Sequence, residues 1–126
     1  MFDVAVAMIL AGRYLAARQD HLPHRSLAGD ASDSSLSSAY RVHDAFHDGL
    51  RSRGDRLAGY KVALTSKAMQ EFCGVDQPLA GGVFESGVYP SPHAIRLDRH
   101  RHLGVECEVA VRLGGDLAPG SGPHTR

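Results

Sequence analysis

Between residues 103 and 113 every odd position is apolar (Leu103, Val105, Cys107, Val109, Val111 and Leu113), while the even positions hold Gly104, Glu106, Glu108, Ala110 and Arg112. Successive side chains of an extended strand point to opposite faces, so this run predicts a β-strand with one face buried against a core. The same geometry sends Glu106 and Glu108 to one side, with Cα atoms about 6.8 Å apart at a rise of ~3.4 Å per residue. Two carboxylates converging in this way repel each other unless something cationic lies between them. Hard divalent ions such as Mg2+ or Mn2+ take oxygen ligands of this kind. A solvent-facing strand edge, where Glu-x-Glu is common, is the plainer reading of the same spacing.

The rest of the chain must supply the core. Phe2, Val6, Ile9, Leu10, Tyr14 and Ala17 recur at helical spacing, predicting a helix from residue 2 to about 19. Residues 21–38, with Pro23, Gly29 and a serine/aspartate cluster, read as a loop whose end offers N-caps. A second helix is expected from about Ser37 to Ser52, with Ala39, Val42, Phe46, Gly49 and Leu50 on one face and Gly54 as its stop. Leu57 to Leu64 reads as a strand. Thr65 or Ser66 then caps a short helix that ends at Gly74. Val75 to Gly82 reads as a loop leading into a short strand around Val83 and Phe84. Residues 89–101 read as a loop with some extended structure, and residues 114–126 as a Gly/Pro-rich stretch. At 126 residues the chain fits one domain, helical to about residue 55 and β-rich from about 56, in the α/β class.

Composition removes several function classes. Charged residues make up 22% and the formal net charge is zero, so there is no basic field for a phosphate backbone, and no nucleic-acid partner is expected. The longest apolar run, Val4 to Ala11, is far shorter than the ~20 residues of a membrane span. Asp3 precedes that run where a secretory signal would carry basic residues, so a cytoplasmic protein is expected. Cys73 and Cys107 form no CxxC pair and read as free thiols, Cys107 packed on the buried strand face.

Five further features have chemical potential. Lys61 stands inside an apolar strand, where partial burial would lower its pKa and suit it to proton transfer, although such a lysine commonly reaches out to solvent. Asp76, in Gly74-Val75-Asp76-Gln77-Pro78, is most simply a turn aspartate. His43 and His47 lie one helical turn apart, but Asp44 stands where a zinc-binding HExxH motif needs glutamate, so a surface pair is expected. Arg53-Gly54-Asp55 reads as a helix ending, and Arg99-His100-Arg101-His102 is too short a basic patch to hold nucleic acid.

Four segments in register resemble the 2-keto-4-pentenoate hydratase family, a branch of the fumarylacetoacetate hydrolase-like superfamily. Residues 59–70, Gly-Tyr-Lys-Val-Ala-Leu-Thr-Ser-Lys-Ala-Met-Gln, are similar to its G-x-K-x-x-L-T-S-K-x-x-Q signature. Residues 74–78 resemble its G-V-D-x-P loop, and residues 105–117 its V-E-x-E-I-A…L-x-x-D-L strand. Ala39-Tyr40-Arg41-Val42 resembles its A-Y-x-V-Q helix, with His43 in place of the glutamine. The resemblance runs from about Val4 to the last residue.

It implies an α/β fold in which N-terminal helices pack beside part of a mixed β-roll of the fumarylacetoacetate hydrolase-like type, truncated to a single incomplete domain. It further implies that Glu106 and Glu108 are two of three carboxylate ligands to Mg2+ or Mn2+, and that Lys61 and Asp76 are acid/base or substrate-binding groups. Family members are about twice this length and their third ligand would fall past Arg126. The implied reaction is hydration of 2-hydroxypenta-2,4-dienoate, a small 2-hydroxy-dienoate from aromatic-compound breakdown, to 4-hydroxy-2-oxopentanoate. The full-length form is expected to be a homo-oligomer. The related 4-oxalocrotonate decarboxylase, and an inactive remnant that partners a full-length homologue, are the alternatives.

Overall fold

The computed structural model describes residues 3–23, 35–100 and 103–115. In chain order it holds helix α1 (Val4–Gln19), helix α2 (Leu36–Ser52), strand β1 (Leu57–Ala63), helix α3 (Lys67–Cys73) and strand β2 (Leu79–Phe84). Two 3-10 turns follow, at Glu85–Gly87 and Leu97–Arg99.

Each helix begins where a short polar side chain can satisfy a free backbone N–H. Asp3 accepts from the Ala5 N–H at 2.6 Å, Ser35 from Ser38 at 3.3 Å, and Ser66 from Met69 at 3.3 Å. Gly74 closes α3 at φ 69°, a left-handed conformation that glycine enters without a Cβ clash.

α1 and α2 pack through Ala7, Leu10, Ala11 and Val42. The buried stripe of α1 is therefore turned from the expected one: Leu10 is buried, but Val6 and Ile9 are exposed and two alanines take the interface. Small residues allow the axes to approach, and Gly49 on α2 serves the same end. A Cβ there would lie 2.3 Å from Leu15 Cδ1. On α2, Val42 and Leu50 are buried as expected, while Ala39 is exposed and His47 takes an inward position.

β1 and β2 pair antiparallel, with Lys61 opposite Gly81, Ala63 opposite Leu79, and a register shift between Leu57 and Gly59. This is the one sheet among the described residues, and it contains no parallel pair. The helices reach it through a second cluster of Leu15, Leu50 and Phe84, with Phe46 and Leu57 packed alongside. A polar tie joins the same layers: the Ala80 N–H donates to the Tyr40 hydroxyl at 2.9 Å. β2 starts four residues before the expected strand and runs through Gly81-Gly82. The glycine pair reads as a loop, but its role is close approach: a Cβ on Gly82 would lie 2.7 Å from His47 Cε1 and 2.8 Å from Leu57 Cδ1.

The expected strand over Leu103–Leu113 is not formed. Among the described residues the segment joins no ladder, and the positions assigned to the buried face are open: Val105 is 84% exposed, Val109 95% and Val111 81%. Cys107 is likewise exposed rather than packed. Alternation suits a chain to one buried face, but a strand also needs a neighbouring backbone, and β1 has β2 as its partner. Phe2, the serine/aspartate loop at 24–34, Arg101, His102 and residues 116–126 lie outside the described residues.

A lysine between two glutamates as the candidate site

Lys61 is near the C-terminal end of β1, facing Gly81 across the ladder. Its ammonium sits between the two carboxylates of the extended segment, with Nζ 3.0 Å from Glu106 Oε2 and 2.8 Å from Glu108 Oε1. Alternation explains how one cation reaches both: residues two apart share a side of an extended chain, whether or not that chain is in a sheet.

The electrostatics run opposite to the burial argument. Lys61 remains substantially exposed, and its pKa is raised, first by the hydrogen bond to Glu108 and then by that to Glu106, against a smaller contribution from burial. The group is an ammonium near neutrality, suited to holding an anion rather than to acting as a free amine base.

Asp76 follows α3 on an exposed loop, and its carbonyl accepts from Lys67 Nζ at 3.5 Å. Among the described residues no hydrogen bond or ion pair joins Asp76 to Lys61, Glu106 or Glu108. Three of the four expected site residues are thus in direct contact, and the fourth is held by a different lysine.

The two carboxylates fit a hard divalent ion in donor chemistry, since they already converge on one cation. Among the described residues no group of three or more His, Cys, Asp or Glu side chains is placed to hold a metal.

The histidine pair differs from the surface pair expected. His47 is buried, its ring 3.9 Å from that of His43 and 5.0 Å from Phe84. Burial first, and then the neighbouring His43, lower the pKa of His47, so the neutral ring is favoured as a packing group between α2 and β2.

No family model matches the chain. Individual relatives do. A 2-keto-4-pentenoate hydratase of Burkholderia vietnamiensis is 35% identical over 107 residues, covering 85% of this chain and 37% of the relative. The TodF product hydratase of Pseudomonas putida is 36% identical over 96 residues, covering 76% of this chain and 35% of that protein. The chain is a relative of the 2-keto-4-pentenoate hydratases. It spans less than two fifths of the length of these two proteins.

The fold agrees with that kinship. A solved 4-oxalocrotonate decarboxylase from Pseudomonas putida G7, complexed with magnesium and adipate, superposes at a TM-score of 0.64. The match covers 68% of this chain and 33% of the decarboxylase at 22% identity. At that identity the likeness is one of fold. Among the described residues no helix is long and apolar enough to cross a membrane.

Proposed function

We propose that this chain supplies part of a metal-dependent hydratase site, with Glu106 and Glu108 as metal ligands and Lys61 and Asp76 as the groups that bind substrate and move protons. The observation that carries the reading is the Lys61 ammonium lodged between two carboxylates, 3.0 and 2.8 Å away, in a relative of named hydratases. Convergent carboxylates create a place for a cation, and the solved decarboxylase of similar fold was complexed with magnesium. When bound, a divalent ion supplies Lewis-acid polarisation and a template for the oxygens of a 2-oxo acid.

The substrate in this reading is 2-hydroxypenta-2,4-dienoate. Its conversion to 4-hydroxy-2-oxopentanoate moves the C2 hydroxyl proton away, adds a proton at C5, adds hydroxide from water at C4, and adds the remaining proton at C3. Lys61 Nζ, protonated near neutrality, holds the substrate's anionic oxygens and donates a proton to carbon. The Asp76 carboxylate takes a proton from the hydroxyl or from the attacking water. Hydration is preferred to decarboxylation because the hydratases share 35–36% of matched residues, against 22% for the decarboxylase. The helices and the β1–β2 pair are then the start of a β-roll of the fumarylacetoacetate hydrolase-like type.

A chimera tests this. Residues 1–126 replace the matched segment of the Burkholderia vietnamiensis relative, and dienoate hydration is followed with and without Mg2+. Metal-dependent turnover is expected, with Lys61→Met and Glu106→Gln each losing at least about a hundredfold in kcat/KM. A folded, active chimera that is indifferent to both substitutions would exclude these residues from the chemistry.

A further inference from the structure

Gln70 is the buried residue of α3, only 3% exposed on a helix whose other side chains face outward. A primary amide leaves water at a cost unless its hydrogen bonds are replaced. Here Nε2 donates to the Leu64 carbonyl at 2.7 Å, and among the described residues the buried Oε1 has no hydrogen-bond partner. The acceptor end of the amide goes unused, while its donor end keeps this contact.

The recipient is unusual. Leu64 has φ 56°, a left-handed conformation in which a Cβ crowds the following carbonyl, and which leucine rarely adopts. It is the first residue after β1, and two residues later Ser66 caps α3. The Gln70 amide therefore spans the elbow where strand turns into helix.

The loop carrying Asp76 hangs from the far end of that helix. The Val75 N–H donates to the Gln70 carbonyl at 2.9 Å, and Lys67 Nζ reaches the Asp76 carbonyl. Lys61 is three residues before the elbow, pinned by the ladder to Gly81. The setting of α3 on β1 decides where the Asp76 loop lies relative to Lys61.

We propose that Gln70 is a positioning residue, whose side-chain N–H clamps the left-handed turn at Leu64 and so fixes the Asp76 loop with respect to Lys61. The catalytic consequence rests on the reading of Lys61 and Asp76 given above; the clamp itself does not. The clamp needs a donor at this position. Simple filling of space would be served equally by methionine, which is similar in length and adaptable in shape.

NMR on the 126-residue chain separates the two. Gln70→Met is expected to erase the left-handed carbon shifts of Leu64 and to move the amide resonances of 74–77, leaving those of 79–84 in place. Gln70→Glu can donate only while protonated, and burial raises a carboxyl pKa. Its spectrum should match wild type near about pH 4 and Gln70→Met near about pH 9. Adding Leu64→Gly to Gln70→Met should return the 74–77 resonances, because glycine enters the turn unaided. If Gln70→Met does not fold, the pH series of Gln70→Glu decides. Unmoved 74–77 resonances in Gln70→Met, a flat pH series, or no recovery with Leu64→Gly would overturn the clamp. In the hydratase chimera Gln70→Met should lower kcat about tenfold or more with little change in KM. An elbow that responds as described beside an unchanged kcat would reject the catalytic consequence and leave the clamp standing.

Discussion

Lys61 and His47 are two titratable side chains placed so that the fold pulls them in opposite directions. Glu108 is the larger cause of the raised Lys61 pKa and makes the shorter contact, 2.8 Å against 3.0 Å for Glu106. Glu108→Gln is therefore expected to bring the Lys61 pKa down further than Glu106→Gln, read from the Cε and Nζ resonances during a pH titration. Because the folded value is raised, any stability from these contacts is fully present below the ordinary lysine pKa and is lost as pH rises through the folded one. For an exposed trio that contribution is small. His47 behaves conversely. Its pKa is lowered by burial and by His43, with Arg51 adding to this and Asp44 and Asp48 opposing it. Its contribution is present above the ordinary histidine value of about 6.5 and is lost as pH falls through the lower folded value. Urea melts from about pH 7.5 down to about pH 5 should show falling stability, and His47→Gln should flatten that acid limb.

At the scale of elements, the join between helices and sheet depends on a narrow gap. Gly82 on β2 passes under His47 of α2 and Leu57 of β1, both too close for a Cβ to fit without movement. The crowding atoms belong to a buried ring and to a half-buried leucine in the second core cluster, neither of which can swing clear into solvent. Gly82→Ala is expected to destabilise by about 1–3 kcal/mol, as overpacking does in a formed core. Gly87→Ala, at a position where a Cβ meets nothing within 4 Å, serves as the control and should stay within about 0.5 kcal/mol. Comparable denaturation midpoints for the two variants would show that the α2–β2 contact yields more readily than its geometry indicates.

At the scale of the whole molecule, two properties of the 126-residue polypeptide follow from what it leaves uncovered. Val105, Val109 and Val111 stand open along one side of an extended segment, and Phe72 and Tyr60 are 85% and 72% exposed. Apolar side chains beside unpaired backbone favour association. Sedimentation of the isolated chain should show self-association that strengthens with concentration and weakens in Val109→Lys. The site is the second property. Two carboxylates offer Mg2+ little without further oxygens, because the ion dehydrates reluctantly. The isolated 126 residues are therefore expected to show no measurable hydration of 2-hydroxypenta-2,4-dienoate with Mg2+ or Mn2+. Robust turnover lost on Glu106→Ala or Glu108→Ala would mean that two glutamates suffice.

Local information was enough to read a cap for α3 at Thr65 or Ser66, the glycine stop at Gly74, the course of β1, and the shared side of Glu106 and Glu108, and to place the start of α2 within two residues of its Ser35 cap. Each depends on a few neighbouring residues: a hydroxyl within reach of an N–H, a position that accepts positive φ, a two-residue period. The hydratase kinship was legible for a related reason, since four short segments keep their order and spacing. What the alternation at 103–113 left open was whether a neighbour exists to pair with and be buried against. Which stripe of α1 is buried depended on how closely α2 approaches, and α2 comes close enough for Ala7 and Ala11 to displace Val6 and Ile9. His47 was turned inward against Gly82, a glycine 35 residues further along the chain that makes room for its ring. The pKa of Lys61 was raised rather than lowered because two glutamates more than 40 residues away supply the field. Burial and electrostatics are sums over whatever the fold brings near, so these were decided by the tertiary structure.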